Sequence, residues 1–266
     1  MPTETLQLIF PHIVAFSAAL SRIVGMFLFA PALGGNAAPI QVRVLMILAL
    51  AAIIYPSVSA HASPDLVRLD ILSLAPMLAG ELLVGLSIGT IASLPLISVQ
   101  SAGTIMSHKM GLRLGDTFNP AINLGSDAFG QLLFYLAIVA FLNMGGAEAM
   151  IGSVVDSFGR IPIGGAGLGL APLDLVVGLA ASGLDIALRI SAPVLTVLFL
   201  EMIASGLIMK TMPQLNILSF GFAIKIIVGL LALAGSIAVI QIVIQTDVGD
   251  SIDMMVSWAR GVMSGG

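Results

Sequence analysis

Eight charged residues stand within or at the edge of strongly apolar segments: Arg22, Arg43, Glu81, Asp185, Arg189, Glu201, Lys210 and Lys225. A charge at the centre of a bilayer costs roughly 3 kcal/mol or more, so such residues pair, face water or carry function. Carboxylates and cations in this setting can do two kinds of work. They can relay protons or ions, as in a transporter, or they can pair and hold helices together within a chain or between subunits. If some of these helices lie outside lipid, the charges become cheap. Asp185 and Arg189 are spaced to pair on one helical face. Glu81 and Glu201 stand more alone, and each needs a cation from elsewhere, a proton or a watery surface.

Other chemistry finds no support. His12, His61 and His108 are far apart and form no HExxH. The segment RLGD lacks the first glycine of the GxGD of intramembrane aspartyl proteases, and LAASG and MIASG lack the GxS of rhomboid-like serine proteases. With no cysteine, disulfides, thiol catalysis and Cys-ligated zinc are excluded. No nucleophile has a base near it in sequence. The glycines of IPIGGAGLG are not followed by GK[ST] and resemble a phosphate loop only superficially. The expectation is a protein that is not an enzyme and uses no metal or cofactor.

The elements that must carry these charges are membrane helices. The chain is 58% hydrophobic and 9% charged, against about 25% charged in a soluble domain. Its mean hydropathy is +1.12. Apolar segments lie at 6–30, 39–60, 71–107, 127–147, 170–208 and 217–246, and about 20 such residues span a bilayer as a helix. Lipid offers the backbone no hydrogen-bond partners, which leaves helices or closed barrels. LLFYLAIVAFLNM is apolar on every face, unlike a barrel strand. Pro31, Pro56, Pro76, Pro95, Pro193 and Pro213 fall inside or at the ends of these runs and predict kinks or breaks. Segments 71–107 and 170–208 exceed one simple span, so each is expected to be a kinked helix or a tight hairpin. Gly85 and Gly89, at helical spacing, favour close helix packing.

Residues 148–169 are expected to be a flexible connecting loop. The tail from 247 reads as an amphipathic helix with Val248, Ile252, Met255, Val256 and Ala259 on one face. Trp258 is placed there to anchor at a membrane interface or to help dock a partner. Glu4 stands where a basic leader region belongs, so Met1 is expected to be the mature start. Net charge is −4 and the ten cations are scattered, which argues against nucleic acid as a partner. Balanced loop charge leaves the orientation open.

The polar island SHKMGLRLGDTFNPAINLGSD, residues 107–127, lies between two apolar segments. Gly111, Gly115 and Pro120 forbid a continuous helix through it. Met106, Met110, Leu112, Leu114 and Phe118 make it apolar, while Lys109, Arg113 and Asp116 make it wet. Composition alone allows either a cavity-lining segment or an ordinary connecting loop.

MGLRLGDTFNP in this island, and LIMKTMPQLNILSFGFAIK at 207–225, resemble the FliR/SctT family of type III export-apparatus proteins. The second motif carries Lys210, Pro213, Gln214, Asn216, Gly221 and Lys225, with Lys210 where the family more often has Arg. RIVGMFLFAPALGG around Arg22, Arg43 after a Pro-containing turn, and GELLVGLSIG around Glu81 agree more loosely.

The resemblance implies an all-α polytopic membrane protein of kinked helices and helical hairpins, similar to a fusion of FliP and FliQ. Its implied parts are a FliP-like region 1–147, with a plug loop at about 106–126, and a FliQ-like hairpin at 170–246. One copy would join several copies of FliP and FliQ in a closed helical assembly at the inner membrane, with FlhB and FlhA beside it. Unfolded flagellar subunits would pass through its channel. The plug or gate would use Met106, Lys109, Met110, Gly111, Leu112, Arg113, Phe118 and Pro120. The eight interior charges would become intersubunit salt bridges. A virulence-type injectisome component and a small-molecule secondary transporter using Glu81 and Glu201 are the alternatives.

Overall fold

The computed structural model describes residues 2–31, 39–59, 71–112, 127–165, 173–211 and 217–261. Among them, every regular element is an α-helix. The helices are α1 (Pro2–Phe29), α2 (Ile40–Ser59), α3 (Ile71–Met110), α4 (Ala128–Asn143), α5 (Gly146–Arg160), α6 (Leu173–Thr211) and α7 (Ile217–Arg260). Five of them, α1, α2, α3, α6 and α7, are long and apolar enough to cross a membrane, or up to six spans exist if the bent pair α4 and α5 counts as one. The protein is an all-α, multi-pass membrane protein.

The chain divides into two compact units. Unit 1 comprises Met1–Leu94, Phe141–Leu179 and Gly249–Gly266. Its core holds Ala15, Ala18, Ile23 and Met26 of α1, Val84, Ile88 and Ile91 of α3, and Val154 and Phe158 of α5. Unit 2 comprises Pro95–Ala140 and Ala180–Val248. There Leu96, Val99, Ala102, Met106 and Met110 recur every three or four residues and bury one face of α3, as helical periodicity requires. Ile190, Val194 and Leu198 do the same on α6.

Some expected boundaries hold and others are corrected. Of the two forms expected for the long segments, helix or hairpin, the structure has the helix: 71–107 lies within one of 40 residues, and 173–208 within one of 39. At 1.5 Å per residue α3 is roughly 60 Å long, about twice the thickness of a hydrocarbon core, so it cannot cross perpendicularly with all its residues in lipid. Pro193 lies inside α6 without ending it, as membrane helices allow when neighbours supply the freed backbone groups.

Residues 148–160, expected in a loop, are helical. They form an amphipathic helix that buries Met150, Ser153, Val154, Ser157 and Phe158. The short apolar face spread over three turns and the many glycines around it hid that periodicity. The tail from 247 is not a separate helix but the last turns of α7. Its apolar face is real, since Val248, Met255 and Ala259 are fully buried.

The polar island begins later than expected. Met106, Lys109 and Met110 belong to α3, and Met106 and Met110 are fully buried. The helix ends where Gly111 takes φ +80°. Gly111 N–H donates to the His108 carbonyl at 3.1 Å and Leu112 N–H to the Ser107 carbonyl at 3.1 Å. This Schellman closure wants a residue free of Cβ strain in the left-handed region. Arg113, Phe118 and Pro120, and the motif residues Pro213, Gln214 and Asn216, lie outside the described residues.

Candidate functional site

The most concentrated chemistry in unit 1 is a buried charge knot around Arg22. Arg22 and Glu81 are both wholly inaccessible to solvent. The Arg22 guanidinium donates through Nε to Glu81 Oε2 at 2.7 Å, and its Nη2 lies 2.5 Å from the same oxygen. Nη1 donates to Ser157 Oγ at 2.9 Å, and Nη2 also donates to the Ile161 carbonyl at 3.0 Å. The other carboxylate oxygen, Oε1, accepts from the Gly164 N–H at 3.1 Å. The Phe158 ring covers the guanidinium, with Cζ 3.8 Å from the ring centroid. A buried pair is tolerable only when its remaining donors and acceptors are satisfied, and here both partners draw on additional groups.

Three helices and a turn meet at this knot, and small residues let them. A Cβ on Gly85 would lie 2.9 Å from the Met26 backbone nitrogen, and one on Gly25 would lie 2.9 Å from the Leu86 nitrogen. One on Gly89 would lie 3.3 Å from Met26 Cα. The backbones of α1 and α3 therefore touch along this stripe, as the spacing of Gly85 and Gly89 predicts. Ser21 Oγ adds a hydrogen bond to the Leu78 carbonyl at 2.8 Å. The left-handed turn at Gly164, φ +81°, aims its N–H at Glu81.

A second, exposed cluster of unit 1 ties α5 to the end of α7. Arg260 Nε donates to Asp156 Oδ2 at 2.8 Å, and Arg160 Nη1 donates to the Trp258 carbonyl at 2.6 Å. The Arg160 guanidinium also stands 6.0 Å from the Trp258 ring. Trp258, expected as an interfacial anchor, is engaged within its own chain.

In unit 2 three of the interior charges, Asp185, Arg189 and Glu201, find partners close by. Asp185 and Arg189 pair one turn apart on α6, as their spacing predicts, and both are exposed. Arg189 Nη1 also lies 3.7 Å from Asp247 Oδ1 on α7. Glu201 accepts a hydrogen bond from Ser205 Oγ at 2.5 Å, one turn on, so among the described residues a hydroxyl answers it rather than a cation. Lys210 is exposed at the end of α6, while Gly221 and Lys225 are half-buried in α7. In unit 1, Arg43 is half-buried in α2. Among the described residues, the structure thus brings Arg22 to Glu81 and Asp185 to Arg189. Among the described residues, no group of three or more His, Asp or Glu could hold a metal ion.

Sequence reading missed Ser157, Phe158 and the 161–164 turn as partners of Arg22, and it missed Asp127 altogether. An amphipathic reading of 146–160, with Ser and Phe on its buried face, was the available signal for the first group.

Residues 13–250 match the family described as bacterial export proteins, family 1. The chain belongs to that family. This export protein is 28% identical to the flagellar biosynthetic protein FliR of Bacillus subtilis strain 168, over 91% of this chain and 93% of that one. It is 28% identical to FliR of Escherichia coli K12 over 81% of each chain. It is 24% identical to Yop proteins translocation protein T of Yersinia pestis, over 80% of this chain and 82% of that one.

Proposed function

We infer that this protein is a structural, non-enzymatic component of the flagellar type III export apparatus, helping to form the channel through which unfolded flagellar subunits are secreted. The observation that carries the reading is the family match over 13–250, with flagellar relatives aligned along most of both chains. The protein sits in the bacterial inner membrane at the flagellar basal body. Its partners are FliP and FliQ, which one copy of this chain joins, with FlhB and FlhA alongside. Residues 1–147 are its FliP-like part and 170–246 its FliQ-like part. The extensive exposed apolar faces of α2, α6 and α7, such as Leu45 at 70% and Leu231 at 68% exposure, suit a chain that lies against lipid and other subunits.

The stretch from Lys109 through Gly111, Leu112, Arg113, Phe118 and Pro120 is the plug of the channel. Gly111 starts it with a left-handed, glycine-dependent turn, and Lys109 and Leu112 are exposed beside it. Met106 and Met110 support it from the buried end of α3. Deleting 109–119 is expected to leave assembly intact and make the membrane leak ions; a tight membrane would remove the plug role.

A second reading, the equivalent component of a virulence injectisome, is favoured by the match to Yop proteins translocation protein T. A small-molecule transporter is disfavoured because Glu81, its leading relay carboxylate, is locked to Arg22. Native mass spectrometry of the chain co-expressed with its genomic neighbours tests the whole reading. One copy with several copies of two smaller membrane proteins supports it. A lone monomer or a symmetric homo-oligomer overturns it.

A further inference from the structure

The two helix ends that flank the polar island are clasped by one carboxylate. Asp127 is the N-cap of α4: its carbonyl accepts from Gln131 N–H at 2.8 Å and its Oδ1 from Gly130 N–H at 3.0 Å. The same side chain reaches α3. Oδ1 also accepts from Ser107 Oγ at 3.1 Å, and Oδ2 accepts from Thr104 Oγ1. Beneath the clasp the two backbones cross at a pair of glycines. A Cβ on Gly103 would lie 2.6 Å from Gly130 Cα and 2.8 Å from the Phe129 carbonyl oxygen. With a glycine on each side the two backbones come into close contact at this crossing, and the polar bonds of Asp127 tie the two ends beside it.

The clasp differs in kind from the knot at Arg22. Its donors are two hydroxyls and a backbone amide, and among the described residues no cation pairs with Asp127. The carboxylate is half-buried rather than sealed. Water can replace hydroxyl donors at little cost, whereas the Arg22–Glu81 pair has no water to turn to. A bond set of this type holds a resting arrangement yet can be released and remade.

We propose that Asp127 is the positioning residue that clasps α4 to the end of α3 in the resting channel, and that export requires this clasp to open. The proposal rests on the export-channel reading above and adds the moving contact to it. The residues that open are Asp127 on one side and Thr104 and Ser107 on the other. Gly103 and Gly130 form the smooth surface on which the ends part.

The chain has no cysteine, so a Thr104→Cys, Asp127→Cys pair can be cross-linked without ambiguity in the assembled apparatus. In membranes treated with copper–phenanthroline, the oxidised pair is expected to lose export while the membrane stays tight to ions, and dithiothreitol is expected to restore export in the same sample. Normal export by the fully cross-linked pair would overturn the clasp. Ser107→Cys with Asp127→Cys repeats the test if the first pair does not assemble. In parallel, Thr104→Val, which keeps the α4 cap and removes one clasp bond, is expected to raise resting ion leakage; unchanged leakage together with normal export by the cross-linked pair counts against the proposal. Deleting 109–119 is the separate arm. A tight membrane there would sink the plug reading, while the cross-link result would still report whether the α3 and α4 ends move.

Discussion

Arg22 and Glu81 are 59 residues apart in sequence, yet their side chains form an ion pair from which solvent is wholly excluded. The pair is also the hub for Ser157, Ile161 and Gly164. One cation thus ties α1, α3, α5 and the turn after it. Removing one member leaves the other charged and unpaired.

Glu81→Ala and Arg22→Ala should each destabilise unit 1 by about 3–5 kcal/mol, the usual cost of orphaning a buried charge. The expected readout is a sharp fall in the detergent unfolding midpoint and in recovered protein. The double variant Arg22→Met, Glu81→Leu should recover much of that loss, because no charge is then stranded. Equal loss in the double and single variants would show that the knot acts through something other than charge pairing.

Gly85→Ala should cost about 1–3 kcal/mol by overpacking, because its Cβ would press on the backbone of α1. Gly152→Ala, where a Cβ meets nothing within 4 Å, is the control and should be neutral or slightly stabilising. Thermal unfolding of the two variants side by side decides it.

Gly111→Ala should cost about 1–2 kcal/mol, since alanine in the left-handed region strains against its carbonyl. Hydrogen exchange should quicken at the last turn of α3 and stay unchanged in unit 1.

Asp156→Asn should change stability by about 1 kcal/mol or less, because the Arg260 pair is largely exposed, at 63% and 37%. Whatever effect remains should shrink as salt is raised. A large, salt-insensitive loss would mean that this pair is buried in the assembled apparatus.

Lys225→Ala should leave the thermal stability of the isolated chain nearly unchanged, since the half-buried lysine has no ion-pair partner among the described residues. In native mass spectrometry the same variant should lower the yield of the complex with its partners. Normal yield with reduced export would assign Lys225 to transport instead.

Fold class was legible in the sequence because lipid leaves an apolar chain few options. Runs of this length and hydropathy must be helices, and the structure has them. The Asp185–Arg189 pair and the Gly85, Gly89 packing stripe were legible for a related reason, since both depend on helical spacing alone. The extent of the elements was less legible. Residues 148–160 read as a loop because a short amphipathic helix rich in glycine carries little periodic signal, and its apolar face is recognisable only when something covers it.

What the amino-acid order determined by itself is therefore local: helix, polarity, glycine turns and pairs one turn apart. Only the tertiary structure decided that Glu81 answers Arg22 and that Asp127 answers Thr104 and Ser107. Those partners come from different helices, and a charge does not record in sequence which distant donor will meet it. That choice is made by which faces pack, and packing is set by the shape of buried apolar and glycine surfaces rather than by the charges themselves.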